Sequence, residues 1–183
     1  MSSLRAILEG PVLEAAPALL GRRLRSRIGG VITEVAISEV EAYDGANDPA
    51  SHAFRGPTPR NLTMFGKPGG LYVYRSYGIH WCMNIVVGEE GRAAAVLLRG
   101  GVPTVGAEEM VRRRGREDHL TDGPGNLCQA LGVTGEHDGE QVLGRGVISL
   151  RKGTTPAEIE RTARIGISKA TESQWRFVAA VAT

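Results

Sequence analysis

The sequence contains little cysteine and little lysine, and each shortage excludes a class of chemistry. Its 183 residues include two cysteines, Cys82 and Cys128, which are far apart and show no C-x-x-C spacing. Two such thiols cannot form a zinc site by themselves, so no metal site is predicted and both thiols are expected to be buried and free. The three lysines, Lys67, Lys152 and Lys169, leave few candidates for Schiff-base chemistry.

Long apolar runs are also missing. The N-terminal segment is interrupted by Glu9 and Glu14, so its pattern indicates neither a signal peptide nor a membrane span. We therefore expect a soluble, intracellular and cytoplasmic protein (associated with the nucleoid if bacterial) and no membrane partner. The length and the 42% hydrophobic content fit one domain over residues 1–183.

Charge is nearly balanced but unevenly distributed. The formal net charge is +2, and nineteen of the 22 basic residues are arginine. They cluster at 22–27, 112–116 and 161–164. The planar guanidinium suits phosphate, and basic patches fit a nucleic-acid ligand. A solvated surface in an arginine-rich proteome explains the same clusters equally well.

Apolar runs and turn residues predict an α+β fold around a mainly antiparallel sheet, because most of the predicted strands are joined by hairpins. The stretch 44–70 is rich in turn residues, and such long irregular segments are usually functional in compact domains. Strands are predicted at 31–43, 71–75, 80–87, 93–99 and 147–151, with one more near 163–167. Helices are predicted at 11–21, 106–114 and 124–131.

Aromatic residues are few, and seven of the nine lie between residues 43 and 81. A hydrophobic core does not need its aromatics in one window of sequence, whereas a pocket that stacks a flat heterocycle does. The seven are Tyr43, Phe54, Phe65, Tyr72, Tyr74, Tyr77 and Trp81.

Two acids precede this aromatic window. Alternation along 31–43 places Glu41 and Tyr43 on the same strand face as Val35 and Ile37. A carboxylate among apolar residues tends to have a raised pKa, which suits a general acid or base. A glutamate at a strand end that merely reaches solvent is the alternative. Glu39 lies roughly 7 Å from Glu41 along the strand, and such carboxylate pairs are also typical of sugar hydrolysis.

Several other side chains suit a nucleic-acid site. Tyr77 lies in a glycine turn, where it either wedges into a base stack or packs at the rim. Tyr43 and Tyr74 are candidate walls of a slot. His52 has no second histidine nearby in sequence, so stacking or hydrogen bonding is favoured over metal ligation.

Donors for anions follow the same region. Arg99 ends an apolar strand, which indicates either an anion partner or a structural salt bridge. The turn at 57–61, with Thr58 and Arg60, carries donors suited to phosphates. The glycines at 123–125 open a predicted helix, where backbone N–H groups bind anions, although turn geometry explains them equally well.

Five segments together resemble the alkyladenine (3-methyladenine) DNA glycosylase family. The resemblance runs from about residue 16 to 178, and the segment ARIGI, followed by Trp175 and Phe177, resembles the family's closing part. The five segments are SEVEAYDGANDPASH, TPRNLTMFGKPGGLYVY, YGIHWCMN, VLLRG and DGPGNLCQALG.

The resemblance implies a fold and a reaction. The fold is a single mixed α/β domain around a curved antiparallel sheet, without metal or cofactor. The reaction extrudes a damaged purine from duplex DNA and hydrolyses its N-glycosidic bond. Glu41 would be the general base that activates water, and Arg99 would help to hold that water.

The resemblance also implies contacts to the base. Tyr43, His52 and Tyr74 would stack on or contact the flipped base. Asn84 would resist bases that carry an extra amino group.

Contacts to the rest of the duplex complete the expected set. Tyr77 would fill the gap in the DNA, with Ile79 and His80 touching the duplex beside it. Thr58 and Arg60 are predicted to contact DNA as well.

The sequence therefore predicts a monofunctional, monomeric glycosylase acting on alkylated or deaminated purines in double-stranded DNA. The preferred lesion stays open between 3-methyladenine, 7-methylguanine, hypoxanthine and etheno adducts. One alternative is a non-catalytic module that binds damaged DNA on the same scaffold. Another is a nucleoside or glycoside hydrolase that uses Glu39 and Glu41 on a small substrate.

Overall fold

The computed structural model describes residues 3–180, which form eight strands and four α-helices. No helix within this range is long and apolar enough to cross a membrane. The strands are β1 (Arg23–Ser26), β2 (Thr33–Tyr43), β3 (Leu71–Ser76), β4 (His80–Val87), β5 (Ala94–Val105), β6 (Ile148–Arg151), β7 (Ile159–Thr162) and β8 (Arg176–Ala179). The helices are α1 (Leu4–Glu9), α2 (Val12–Leu19), α3 (Ala107–Arg114) and α4 (Pro124–Leu131).

All eight strands belong to one curled antiparallel sheet, which confirms the predicted α+β class and the curvature implied by the resemblance. The order is β3-β4-β5-β2-β1-β6, and β8 joins β2 beyond the end of β1. β7 pairs in turn with β8. The last elements of the chain therefore lie directly beside β2, the strand that carries Glu41.

Helices α1, α2 and α4 pack on one face of this sheet and bury the main core. Leu19 of α2 and Leu127 of α4 are fully buried there. Cys82 and Cys128 are free and buried, as predicted. Burial raises the pKa of the Cys128 thiol, because the charged thiolate is poorly solvated in the interior.

A β-bulge in β2 decides which way the candidate catalytic residues point. The register against β5 shifts at Glu39, so the core-facing residues change from Val35 and Ile37 to Val40 and Ala42. The prediction that Glu41 and Tyr43 share the face of Val35 and Ile37 is therefore wrong. The extra residue turns Glu41 and Tyr43 to the opposite face of the sheet.

Most predicted elements are confirmed, and one is wrong. The helix at 124–131 is observed with those bounds, and the strand predicted at 93–99 continues to Val105. Residues 44–70 contain only two short 3₁₀ turns, as expected of an irregular segment. The strand predicted near 163–167 is instead an irregular loop between β7 and β8. The Ile165 N–H of this loop donates to the Glu41 side chain and so does not form a hydrogen bond of the sheet.

Candidate active site

A cavity of about 640 Å³ opens on the sheet face opposite the main core. Its volume lies within the range of small-molecule pockets. Its walls come from the irregular segment 49–52, from strands β3 and β4 and from the loop 165–169. Tyr77 stands at the mouth, and Tyr43 forms part of the inner wall.

The sheet register places one row of site residues across four strands. Glu41 of β2 pairs with Leu97 of β5, Leu97 with Asn84 of β4, and Asn84 with Tyr72 of β3. Directly opposed residues of an antiparallel pair share a face, so these four side chains follow one another on the cavity side of the sheet, where Leu97, Asn84 and Tyr72 line the cavity. Asn84 is buried and donates its amide N–H to the Tyr72 carbonyl across 3.1 Å.

Aromatic rings form one wall. Tyr72 and Tyr74 stack with centroids 5.4 Å apart, and the His52 ring meets Tyr74 edge-on at 4.6 Å. His52 Nδ1 lies 3.2 Å from the Tyr72 hydroxyl oxygen. Three predicted base-contacting residues, Tyr43, His52 and Tyr74, therefore line the same cavity together with Asn84.

Burial keeps these rings uncharged. It raises the pKa of Tyr72 to about 12 and raises the pKa of Tyr74 as well. The pKa of His52 is lowered, first because the ring is desolvated in the wall and second because Arg60 brings a like charge. A neutral, flat lining suits the stacking of a heterocycle.

Glu41 is the most constrained acid of the site. Its side chain has no exposed surface, and it lies behind Tyr43 and Ile165 rather than in the cavity lining. Oε2 accepts a hydrogen bond from the Tyr43 hydroxyl at 2.8 Å, and Oε1 accepts one from the Ile165 N–H at 2.8 Å. The Arg99 guanidinium Nη1 lies 3.5 Å from Oε1. The Glu41 carboxylate is thus hydrogen-bonded directly to two residues that line the cavity, Tyr43 and Ile165.

Glu39 has a different environment. Its Oε1 accepts hydrogen bonds from Arg99 Nε at 2.9 Å and from Arg176 Nε at 2.7 Å. The Glu39 carboxylate is therefore engaged in structural ion pairs with two guanidinium groups. This arrangement disfavours the sugar-hydrolase alternative, which needs Glu39 and Glu41 as an acid–base pair.

The Tyr77 turn projects from the rim of the cavity. Tyr77 is 89% exposed and adopts a left-handed conformation, with φ of 49°. Ile79 is 66% exposed in the same turn. His80 is exposed and packs against the start of α4. A Cβ added to Gly125 of α4 would lie 3.0 Å from the His80 Cβ. An apolar ring held out in water at a cavity mouth suits insertion between bases.

The predicted DNA-contacting turn at 57–61 is organised by Asn61, a buried residue absent from the predicted site set. The Thr58 N–H donates to Asn61 Oδ1 at 2.6 Å, and Asn61 Nδ2 donates to the His52 carbonyl at 2.9 Å. Arg60 donates to the Arg75 carbonyl at 3.1 Å and lies over the Tyr74 ring at 5.7 Å. Asn61 therefore couples this turn to the base-facing wall.

Two further residues were missed from the sequence, Asp48 and Arg164. They form an ion pair in which neither side chain is exposed, and the guanidinium lies 4.7 Å from the centroid of Tyr43. They are 116 residues apart, so no local pattern links them. The sequence signals were indirect: both residues lie in segments that resemble the family, and Arg164 also belongs to the arginine cluster at 161–164.

Comparison with known proteins identifies the family. Residues 6–182 match the Methylpurine-DNA glycosylase (MPG) family. The chain belongs to this family.

Curated relatives agree with the methylpurine-DNA glycosylase assignment. A protein of Cutibacterium acnes is 46% identical over 180 residues, covering 93% of this chain and 92% of its own. One of Rhodopseudomonas palustris, strain BisB18, is 51% identical over 176 residues, covering 94% and 84%. One of Frankia casuarinae is 45% identical over 181 residues, covering 91% and 84%. All three bear the name "Putative 3-methyladenine DNA glycosylase".

The methylpurine-DNA glycosylase family and the agreement among its members confirm that the chain is a DNA N-glycosylase, a hydrolase of DNA repair. DNA is its substrate. The family resemblance read from the sequence segments is confirmed with it.

One member of the predicted arginine cluster at 112–116, Arg113, has a structural role in this glycosylase. It is largely buried, binds Glu109 and donates to the Ile28 carbonyl at 2.8 Å, which ties α3 to the rest of the fold. Arg112 and Arg116 are exposed and pair with Glu109 and Asp118, acids two or three residues away.

Proposed function

We propose that this methylpurine-DNA glycosylase extrudes alkylated and deaminated purines from double-stranded DNA and hydrolyses the N-glycosidic bond. The products are a free base and an abasic site. One observation carries the proposal: a fully buried carboxylate, Glu41, is fixed by hydrogen bonds immediately behind a cavity lined with aromatic rings.

Glu41 acts as the general base. A carboxylate has about four lone-pair positions, and Tyr43, Ile165 and Arg99 approach three of them. The remaining position accepts the proton of a water that attacks the anomeric carbon. The bond to the base nitrogen breaks, and its electron pair leaves with the base. Arg99, held by Glu39, orients that water.

The cavity receives the extruded base. Tyr43, His52 and Tyr74 contact its faces, and Asn84 at the floor disfavours purines with an extra amino group. Extrusion costs a few kcal/mol, and stacking on aromatic rings returns about 1–3 kcal/mol per base. Neutral deaminated purines gain this stacking energy as alkylated ones do.

The Tyr77 turn fills the space that the base leaves. Ile79 and His80 contact the duplex beside the Tyr77 ring, and Thr58 and Arg60 contact it from the turn at 57–61. Their exposure beside the cavity mouth supports these roles. Residues 1–183 act as one unit and as a monomer, because one wedge and one pocket serve one lesion. We expect the enzyme to act on the DNA inside the cell.

The test is release of free base from duplex oligonucleotides carrying one hypoxanthine or one 7-methylguanine. The wild type releases base, whereas Glu41→Gln binds the same duplex and loses about 10²–10⁴-fold in rate. Glu108→Gln, which changes an exposed glutamate on α3, is the matched control and keeps the wild-type rate.

Each contrary outcome identifies a different error. Normal turnover by Glu41→Gln would refute the general-base assignment. Duplex binding without base release by the wild type would instead support the non-catalytic binding module. Release of 7-methylguanine but not of hypoxanthine would restrict the substrates to alkylated purines.

A further inference from the structure

Arg164 is held inside the protein through both terminal nitrogens of its guanidinium, whereas its buried Nε has no hydrogen-bond partner. Its Nη2 donates to Asp48 Oδ1 at 2.9 Å, and its Nη1 donates to the Ala42 carbonyl at 2.9 Å. Both charged side chains are fully buried. Because removing an ion pair from water is costly, a pair in this position calls for an explanation beyond stability.

The guanidinium also lies between two rings. It is 4.7 Å from the centroid of Tyr43 and 5.0 Å from that of Trp175. Tyr43 lines the cavity, whereas Arg164 does not. The cation therefore covers the buried face of the ring, and the other face is left for a base.

The same arginine fixes the catalytic side of the cavity. It precedes Ile165, whose N–H donates to Glu41 Oε1. The Tyr43 hydroxyl donates to the other oxygen of the same carboxylate. One buried guanidinium thus anchors both groups that orient Glu41.

We propose that Arg164, paired with Asp48, is a positioning residue that also determines lesion selectivity through Tyr43. Its charge on the buried face of the ring lowers the preference of the slot for positively charged bases and so favours neutral ones. The proposal rests on the proposed function, because it concerns the base that stacks on Tyr43.

The physical reason is the electrostatics of the ring. A cation is attracted to the negative face of an aromatic ring, and a second cation on the opposite face competes for the same electron density and repels the first. A base with a methyl group on N7 carries a positive charge, whereas hypoxanthine is neutral. The penalty therefore falls on the alkylated base alone.

The test compares two single-turnover rate constants in each variant, one for 7-methylguanine and one for hypoxanthine. The double change Asp48→Asn with Arg164→Gln keeps a polar side chain at both positions but removes both charges. We expect the ratio of the 7-methylguanine rate to the hypoxanthine rate to rise roughly fivefold. An unchanged or lower ratio would overturn the proposal.

Arg164→Lys is the matched variant that keeps the charge. Its ammonium cannot lie flat between two rings, so both rates should fall while their ratio stays within about twofold of the wild type. A shift of that ratio as large as fivefold would contradict the proposal, even if the double variant does not fold. A wild type that releases neither base would refute the proposed function itself, which is a different result.

Discussion

Tyr43 donates its hydroxyl hydrogen to Glu41 Oε2 across 2.8 Å, from two residues further along the same strand. One side chain therefore both lines the cavity and binds the acid behind it. Burial raises the pKa of Tyr43, and the charge of Glu41 raises it further, so the phenol remains a donor.

This relationship predicts the effect of Tyr43→Phe. The ring stays, but the Glu41 carboxylate no longer accepts a hydrogen bond from position 43, and the single-turnover rate should fall roughly tenfold with little change in duplex affinity. In a Glu41→Gln background the same change should have almost no further effect, which a double-mutant cycle measures. Equal losses in both backgrounds would show that Tyr43 acts independently of Glu41.

The Tyr77 turn permits a test of the wedge with little effect on folding. Asparagine tolerates the left-handed backbone conformation of position 77. The melting temperature of Tyr77→Asn should therefore stay within about 2 °C of the wild-type value. Excision from duplex DNA should fall roughly tenfold or more, and excision from a single strand should fall less. Leu62→Asn, at another exposed apolar side chain, is the control and leaves both rates unchanged. Equal losses on duplex and single strand would contradict a wedge.

Tyr72 predicts how stability depends on alkaline pH. Its pKa is about 12 in the folded protein because of burial, whereas an unfolded tyrosine ionises near pH 10. The folded state therefore holds its proton more tightly, so this stability is intact below about pH 10 and is lost as pH rises towards 12.

Tyr72→Phe should accordingly lose less stability than the wild type between about pH 10 and 12. Its melting temperature at neutral pH should be lower, because the contact of the hydroxyl with His52 is lost. Thermal unfolding at several pH values measures both effects. Parallel curves for the two proteins would show that Tyr72 does not cause the alkaline loss.

Gly101 is predicted to preserve the bulge of β2. It pairs with Ile37, and an added Cβ would lie 2.6 Å from Val35 Cγ2. Gly101→Ala should destabilise the protein by about 1–3 kcal/mol through overpacking and should slow base release. Gly146→Ala, whose added Cβ would meet nothing nearer than 3.5 Å, is the control in chemical denaturation. Equal denaturation midpoints would refute the steric argument.

Local patterns predicted much of the sheet and of the aromatic lining. The hairpin of β3 and β4 and the helix at 124–131 follow from short-range alternation and turn residues, which operate within a few positions. The aromatic window led directly to the cavity, because Tyr43, Tyr72 and Tyr74 do line it.

What the sequence could not supply depends on distant contacts. The bulge at Glu39 is an exception, because the apolar residues of β2 shift from odd positions (Val35 and Ile37) to even positions (Val40 and Ala42) around it, a local signal that the predicted single face overlooked. The loop at 163–167 has the apolar composition of a strand, yet Ile165 bonds to a side chain 124 residues away. Local sequence patterns cannot predict that a backbone N–H donates its hydrogen bond to a side chain so distant in sequence.

The distance between these partners has a consequence for synthesis on the ribosome. Glu41 and Tyr43 emerge long before Arg164 and Ile165, so a growing chain carries the acid without the groups that orient it. Under the proposed general-base role of Glu41, the nascent polypeptide would therefore lack hydrolytic activity until the loop at 163–169 has been synthesised and contacts β2.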